Sequence, residues 1–237
     1  FTISLGEIVL PVAGALLLVG AALTTGLVGT RLQIVLEGLA GAALAVFVAL
    51  WLTGRFLPAP GAPVPAPIPF APEPAARLGQ LAVALGWVLA LGVALEAFVQ
   101  ILDADPVERA VIALPVHAAL GILLLLFGRA LTTAAHSTQP PAETPDQGPD
   151  EGLGFRDRIL SNFGRLVTLT GSLGLIAAGL GYSYAAGTFL VSTALTIALL
   201  STLILLQTLV FDTWALITRR PADDSDALVP VLIAFAA

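Results

Sequence analysis

Leu166 to Phe211 reads LVTLTGSLGLIAAGLGYSYAAGTFLVSTALTIALLSTLILLQTLVF, 46 residues without an Asp, Glu, Lys, Arg or His. Its only polar break is GYSYAAG at Gly181–Gly187. As one helix the stretch would run roughly 69 Å, about twice the apolar thickness of a bilayer. It therefore reads as two membrane spans joined by a tight turn. Backbone N–H and C=O groups in hydrocarbon must pair within their own segment, so an apolar repeat of this length implies helices.

Working outward, the same theme recurs. Ile8–Gly29 and Leu32–Leu52 read as spans one and two around a short Thr30-Arg31 turn, and Leu78–Leu102 as span three. Asp103-Ala104-Asp105-Pro106 turns the chain, with Asp105 as N-cap and Pro106 in the first helical turn. The fourth span covers about Ala110–Leu131, the fifth Ile159–Leu180, the sixth about Thr188–Phe211, and a seventh begins near Leu228. The expected fold is all-α, a polytopic transmembrane bundle of three hairpins with six full spans and the start of a seventh. Its parts are hairpin one at 1–57, a Pro-rich linker at 58–77, hairpin two at 78–134, an acidic flexible loop at 135–157, hairpin three at 158–220 and a loop with a truncated span at 221–237. Pro58 to Pro74, PAPGAPVPAPIPFAPEP, is expected to be an extended polyproline-like strap.

Composition agrees. The chain is 57% hydrophobic and 11% charged, far from the quarter or so of charged residues in soluble domains. There is no Cys, which removes disulfides, thiolate nucleophiles and Cys-ligated metals. Met is also absent and Ala227–Ala237 stops after about half a span, so the chain is expected to be a piece of a longer protein.

Arginine placement sets the expected orientation. Eight of the ten Arg flank three connections on one side: Arg55 and Arg77; Arg129, Arg156, Arg158 and Arg165; Arg219 and Arg220. Only Arg31 and Arg109 lie on the other side. The N-terminus is expected to face out, with the Pro-rich strap and acidic loop cytoplasmic.

Ionisable residues inside a bilayer are costly, about 2.5–3.5 kcal/mol each on insertion scales, and so mark candidate sites. The candidates are Glu37, Glu96, His117, Arg165 and Asp212. Glu96 and His117 sit ten and eleven residues either side of Pro106, which places them at nearly equal depth in an antiparallel hairpin. They form a possible intramembrane polar pair, with a satisfied interfacial contact as the plain reading and a proton relay as the sharper one. Glu37 is expected to snorkel to the outer interface, and Arg165 and Asp212 to anchor the inner one.

Catalytic patterns are missing. There is no HExxH, and Thr170-Gly171-Ser172-Leu173-Gly174 lacks the spacing of a nucleophile elbow. His117 has no intramembrane His partner for haem, and carboxylates for a hard cation are not clustered. No enzyme, cofactor or metal is expected. Small residues are more telling: Gly171, Gly174, Ala178 and Gly181 fall at spacings of three, four and three, a smooth helix-packing face. Gly38, Gly41, Ala42 and Ala45 do likewise in the second span. Tyr182 and Tyr184 are expected interfacial anchors at the outer turn, with Trp214, Arg219 and Arg220 at the inner end of span six, while Trp87 is deep enough to be packed. Val210–Arg220, with Phe211, Trp214 and Ile217 every third residue, reads as an amphipathic inner-leaflet helix end.

Four stretches carry a family resemblance: LGEIVLP at Leu5–Pro11, GFRDRIL at Gly154–Leu160, LVFDTWAL at Leu209–Leu216 and DALVPVLI at Asp226–Ile233. They resemble the peripheral membrane region of large bacterial mechanosensitive channels of the MscS superfamily, the kind with an extra periplasmic N-terminal domain. The resemblance implies an inner-membrane ion channel that opens under bilayer tension in osmotic downshock, assembled as a homo-oligomer, a heptamer in that family. Its partners would be membrane lipids, with no nucleic acid. The resemblance also implies a periplasmic N-terminus, in agreement with the Arg count. The pore-lining helix and cytoplasmic β-rich chamber of that superfamily have no counterpart in this sequence, so no pore residue carries over. Two other classes stay open: a fragment of a secondary transporter or permease, and a non-transporting membrane anchor subunit.

Overall fold

The computed structural model describes residues 13–14, 17–25, 29–57, 70–137 and 155–218. Within them the chain is helical throughout. Five helices are long and apolar enough to cross a membrane, which defines a multi-pass helical membrane protein. They are α1 (Thr30–Phe56), α2 (Pro72–Ile101), α3 (Pro106–Ser137), α4 (Phe155–Gly179) and α5 (Ser183–Thr218). Residues 17–24 are also helical, within the expected first span. The expected seventh span, and most of the Pro-rich strap and acidic loop, lie outside the described residues.

Helix ends moved relative to expectation, each for a local reason. Pro72-Glu73-Pro74, expected in the extended strap, is the first turn of α2. Proline is tolerated there because the first N–H groups of a helix have no partner to lose. Thr30 and Arg31, expected as a turn, open α1. His136 and Ser137, expected in the loop, extend α3, and Phe155 and Arg156 open α4.

The two tight turns share one device, a left-handed residue after the helix end, filled by different residues. At the α4–α5 turn Gly181 has φ +88°, and the Tyr182 N–H reaches the Ala177 carbonyl at 2.9 Å while Gly181 N–H reaches Ala178 at 3.1 Å. That is a Schellman cap with glycine in the left-handed position. The turn thus closes over 180–182, and Ser183–Gly187, expected in the break, is already α5. At the α2–α3 turn the left-handed position is taken by Asp103 (φ 51°), and the Ala104 N–H reaches Val99 at 3.4 Å. Asp105 then caps α3, its Oδ1 accepting from the N–H groups of Val107 (2.9 Å) and Glu108 (2.8 Å). Glu108 returns the favour to the Asp105 N–H at 3.3 Å, completing a capping box.

The most extensive packing does not follow the tight turns. α3 lies most closely on α4 and α1 on α2, the pairs joined through the acidic loop and the Pro-rich strap. Glycines explain this. A Cβ added to Gly128 would stand 2.6 Å from the Gly164 carbonyl oxygen, and one added to Gly171 would stand 2.9 Å from that of Gly121. The two contacts are seven residues apart on each helix, two turns of an antiparallel crossing in which backbone meets backbone. In the α1–α2 pair, Gly38 faces Ala97, Gly86 faces Ala49, and Gly79 faces Thr53. Lipid competes equally well for apolar side chains, so close approach through small residues is what holds such helices together.

α3 is the hub, touching α2, α4 and α5, and a lighter contact between α1 and α5 closes a ring of α1, α2, α3 and α5. Leu85, Leu120, Leu124, Val167 and Leu190, from four helices, form the central core. A second core of Leu78, Leu131 and Ala134 lies toward the Arg-rich end. Among the described residues no third cluster of this kind fills the end that carries the tight turns.

Candidate functional site: a polar cleft at the tight-turn end

At that end the ring of helices encloses a cleft of about 830 Å³ lined by α1, α2, α3 and α5. Leu120, part of the central core, forms part of its wall, with Val88, Leu89 and Val116. Toward the helix ends the lining turns polar: Glu37, Glu96, Gln100, Arg109, Ser183, Tyr184 and Thr188. The gradient follows from the helices themselves, whose apolar centres give way to charged ends. Ser183 ties the cleft together where its hydroxyl donates to the Ala110 carbonyl at 3.4 Å, joining the start of α5 to the start of α3.

The expected pairing of Glu96 with His117 is not what the geometry gives. Glu96 Oε1 faces Arg109 Nη1 at 3.5 Å and accepts from Gln100 Nε2 at 3.4 Å. The pair is roughly half exposed. Equal backbone depth favoured His117, but Glu and Arg have long stems, and Arg109 reaches Glu96 from the first turn of α3. His117 instead lies against Gly187 of α5: a Cβ there would be 2.6 Å from its Nε2. Its Nδ1 is buried without a hydrogen-bond partner. Glu37 also lines the cleft, and its carboxylate accepts from Gln33 Nε2 at 2.9 Å.

The small-residue face of α4 divides. Gly171 meets α3, Gly174 meets the side chain of Leu190 on α5 (2.6 Å from its Cγ to a Cβ added at Gly174), and Ala178 is buried. Gly181 meets nothing and serves the turn. Tyr182 and Tyr184 are exposed at the turn end, and Trp214 is exposed near the far end of α5. Arg219 and Arg220 lie outside the described residues. Trp87, expected to be packed, is 59% exposed and looks outward from α2. The small residues that face the neighbouring helices are Gly79 and Gly86, leaving the bulky indole on the outer side.

Sequence reasoning passed over Arg109, Gln100 and Gly187. Arg109 entered only as a topological charge, although an Arg in the first turn of a span within reach of a buried-segment Glu was a usable signal. Gly187 carried no signal apart from its small size. Among the described residues no cluster of three His, Cys, Asp or Glu forms a metal site. Compared with known proteins, the chain matches no family model, no curated protein and no solved structure.

Proposed function

We propose that this chain is the lipid-facing, tension-sensing region of a mechanosensitive ion channel in a bacterial inner membrane. In this reading it contributes six full spans and the start of a seventh, with a periplasmic N-terminus, and works in a homo-oligomer, a heptamer as the family resemblance implies. One observation carries it: two closely packed helix pairs, α3–α4 through backbone and α1–α2 through small side chains, stand either side of a cleft that is closed between α1 and α5 by a lighter contact alone. Such pairs can tilt as units while the cleft changes width, so the bundle has states of different in-plane area. Tension favours the larger state, and only by the difference in area between the two. Large apolar side chains on the outer faces of all five helices supply the grip on lipid.

Patch-clamp recording of the intact protein in liposomes under stepped suction tests the proposal. The expected result is large, weakly selective openings that appear only above a tension threshold. Silence up to membrane rupture, with assembled protein verified, overturns it. The polar cleft is the one feature that favours a secondary transporter, since such proteins bind substrate between helices within the membrane. Silent patches combined with solute-dependent uptake into the same liposomes would establish that reading.

A further inference from the structure

The seam between α3 and α4 carries positive charge that neither helix balances. A Cβ added at Gly128 would meet both Gly164 and Thr168, and one added at Gly164 would meet both Gly128 and Thr132. The antiparallel register that satisfies all four contacts sets Arg129 of α3 level with Arg165 of α4. Each arginine follows a seam glycine and is turned about 100° from it around its own helix. Seen down one axis, the two rotations of an antiparallel pair run in opposite senses, which brings both arginines to the same flank of the seam. Both are exposed, and among the described residues neither makes an ion pair. From Arg109 to Ser137 and from Arg158 to Gly179 the two helices contain no carboxylate.

Depth points the same way. The Ser183 hydroxyl meets the Ala110 carbonyl, so the α4–α5 turn with its exposed tyrosines is level with Ala110. From Ala110 to Arg129, α3 rises roughly 29 Å, about the apolar thickness of a bilayer. The arginine pair therefore stands at the opposite boundary of the hydrocarbon, at the level of lipid phosphates. Toward the membrane centre the same flank is apolar and exposed: Ile122 and Leu126 lie seven and three residues before Arg129, and Leu169 four after Arg165.

From these we infer that this flank of the α3–α4 seam binds an anionic phospholipid, its phosphate between the guanidinium groups of Arg129 and Arg165 and an acyl chain along Ile122, Leu126 and Leu169. Guanidinium groups donate paired N–H bonds to phosphate oxygens, and two level cations without a counter-charge repel each other until an anion bridges them. A zwitterionic lipid fits less well, because its own ammonium would face the pair. An acidic peptide would have to lie on an apolar flank at the edge of the hydrocarbon, where its backbone groups lack partners. Arg158, two turns nearer the end of α4, already has a partner and is not needed. The inference requires only that the helices span a membrane, so it stands or falls apart from the tension-sensing proposal.

The test is native mass spectrometry of the full 237-residue chain in uncharged dodecyl maltoside micelles, titrated with dioleoyl phosphatidylglycerol or with phosphatidylcholine of the same acyl chains. Wild-type protein is expected to bind phosphatidylglycerol about tenfold or more tightly than phosphatidylcholine. Arg129→Gln and Arg165→Gln are each expected to weaken phosphatidylglycerol about tenfold, the worth of a lost charged hydrogen bond, and to leave phosphatidylcholine unchanged. Arg77→Gln removes the same charge from the same end of the bundle, but from α2, and is expected to change neither. Selective loss of one lipid with the other retained cannot come from misfolding. Should a Gln variant fail to fold, Arg129→Lys and Arg165→Lys keep the charge without the paired donors, and are expected to weaken phosphatidylglycerol to a smaller degree. Equal affinity for the two lipids, seam variants that bind like wild type, or an equal loss in Arg77→Gln overturns the inference. So does displacement of the lipid by an equal concentration of inorganic phosphate, which would make the ligand a free anion.

Discussion

His117 of α3 and Gly187 of α5 are in direct contact, the imidazole occupying the space into which any side chain at position 187 would project. The contact fixes how α3 and α5 meet beside the cleft, and it makes the two residues energetically dependent. Gly187→Ala places a methyl against the ring and is expected to cost about 1–3 kcal/mol, the usual range for overpacking. His117→Ala opens the space again, so the double variant should recover part of the loss. Chemical-unfolding midpoints of the four proteins in detergent give the coupling energy, expected to exceed about 0.5 kcal/mol. Strictly additive effects would show that the ring swings away without cost.

Glycines of this bundle differ sharply in what an added methyl would meet, and stability should sort them. At Gly128 the obstacles include the Gly164 carbonyl and the Thr168 N–H nitrogen, both at 2.6 Å. Backbone cannot rotate aside, so Gly128→Ala must push α3 and α4 apart and should lower the thermal midpoint clearly. Gly54, inside α1, meets nothing within 4 Å. There the alanine should raise stability by about 0.5–1 kcal/mol, through helix propensity and a less flexible unfolded chain. Gly174 is intermediate, because its obstacle is the Leu190 side chain. Gly174→Leu should impair assembly, and Leu190→Ala should partly rescue it.

How much of this could be read from the sequence depends on the length scale. Span number in the described region, the existence of a tight turn after Leu180 and the Asp105 cap were legible because each is written in a few neighbouring residues, whereas Gly181 was read as part of a packing face and proves to be the left-handed residue of that turn. Helix pairing was not. Loop length favoured the tight-turn neighbours, yet the backbone-to-backbone contacts, Gly121 with Gly171 and Gly128 with Gly164, join helices separated by a long loop. The matching seven-residue spacings were the available signal, and nothing in one sequence says which two glycine faces meet. The partner of Glu96 was missed for a related reason. Depth along a span follows from counting residues, but rotation about the helix axis and the reach of an Arg side chain do not.

Glu96 and Arg109 link α2 to α3 across the turn, and both are close to half exposed. An ion pair of that exposure is worth about 0–1 kcal/mol, so Glu96→Gln should change the unfolding midpoint little. Its consequence lies elsewhere: the cleft loses its excess negative charge, since Arg109 is released and Glu37 is the one carboxylate left among the charged lining residues. If the Glu96–His117 relay were the functional element, replacing both by Gln would abolish a pH-dependent response between pH 5 and 8. With Glu96 held by Arg109 and Gln100, that double replacement is expected to leave gating thresholds unchanged across the range. A pH-dependent shift present in the wild type and lost in the variant would overturn this.

The α2–α3 turn offers two substitutions of opposite sign within three residues. Asp103 occupies the left-handed region, where a Cβ costs about 1–2 kcal/mol and glycine pays nothing. Its carboxylate makes no hydrogen bond that would offset this, so Asp103→Gly should stabilise the turn, by about 0.5–1 kcal/mol once the greater freedom of glycine in the unfolded chain is deducted. Asp105 holds two N–H groups of α3, and Asp105→Ala should cost about 0.5–2 kcal/mol, the value of a lost N-cap. Both changes lie outside the α3–α4 and α1–α2 contacts, so they test the turn alone. Unfolding midpoints measured side by side should move in opposite directions. A destabilised Asp103→Gly protein would mean that the aspartate side chain, and not the backbone, holds this turn.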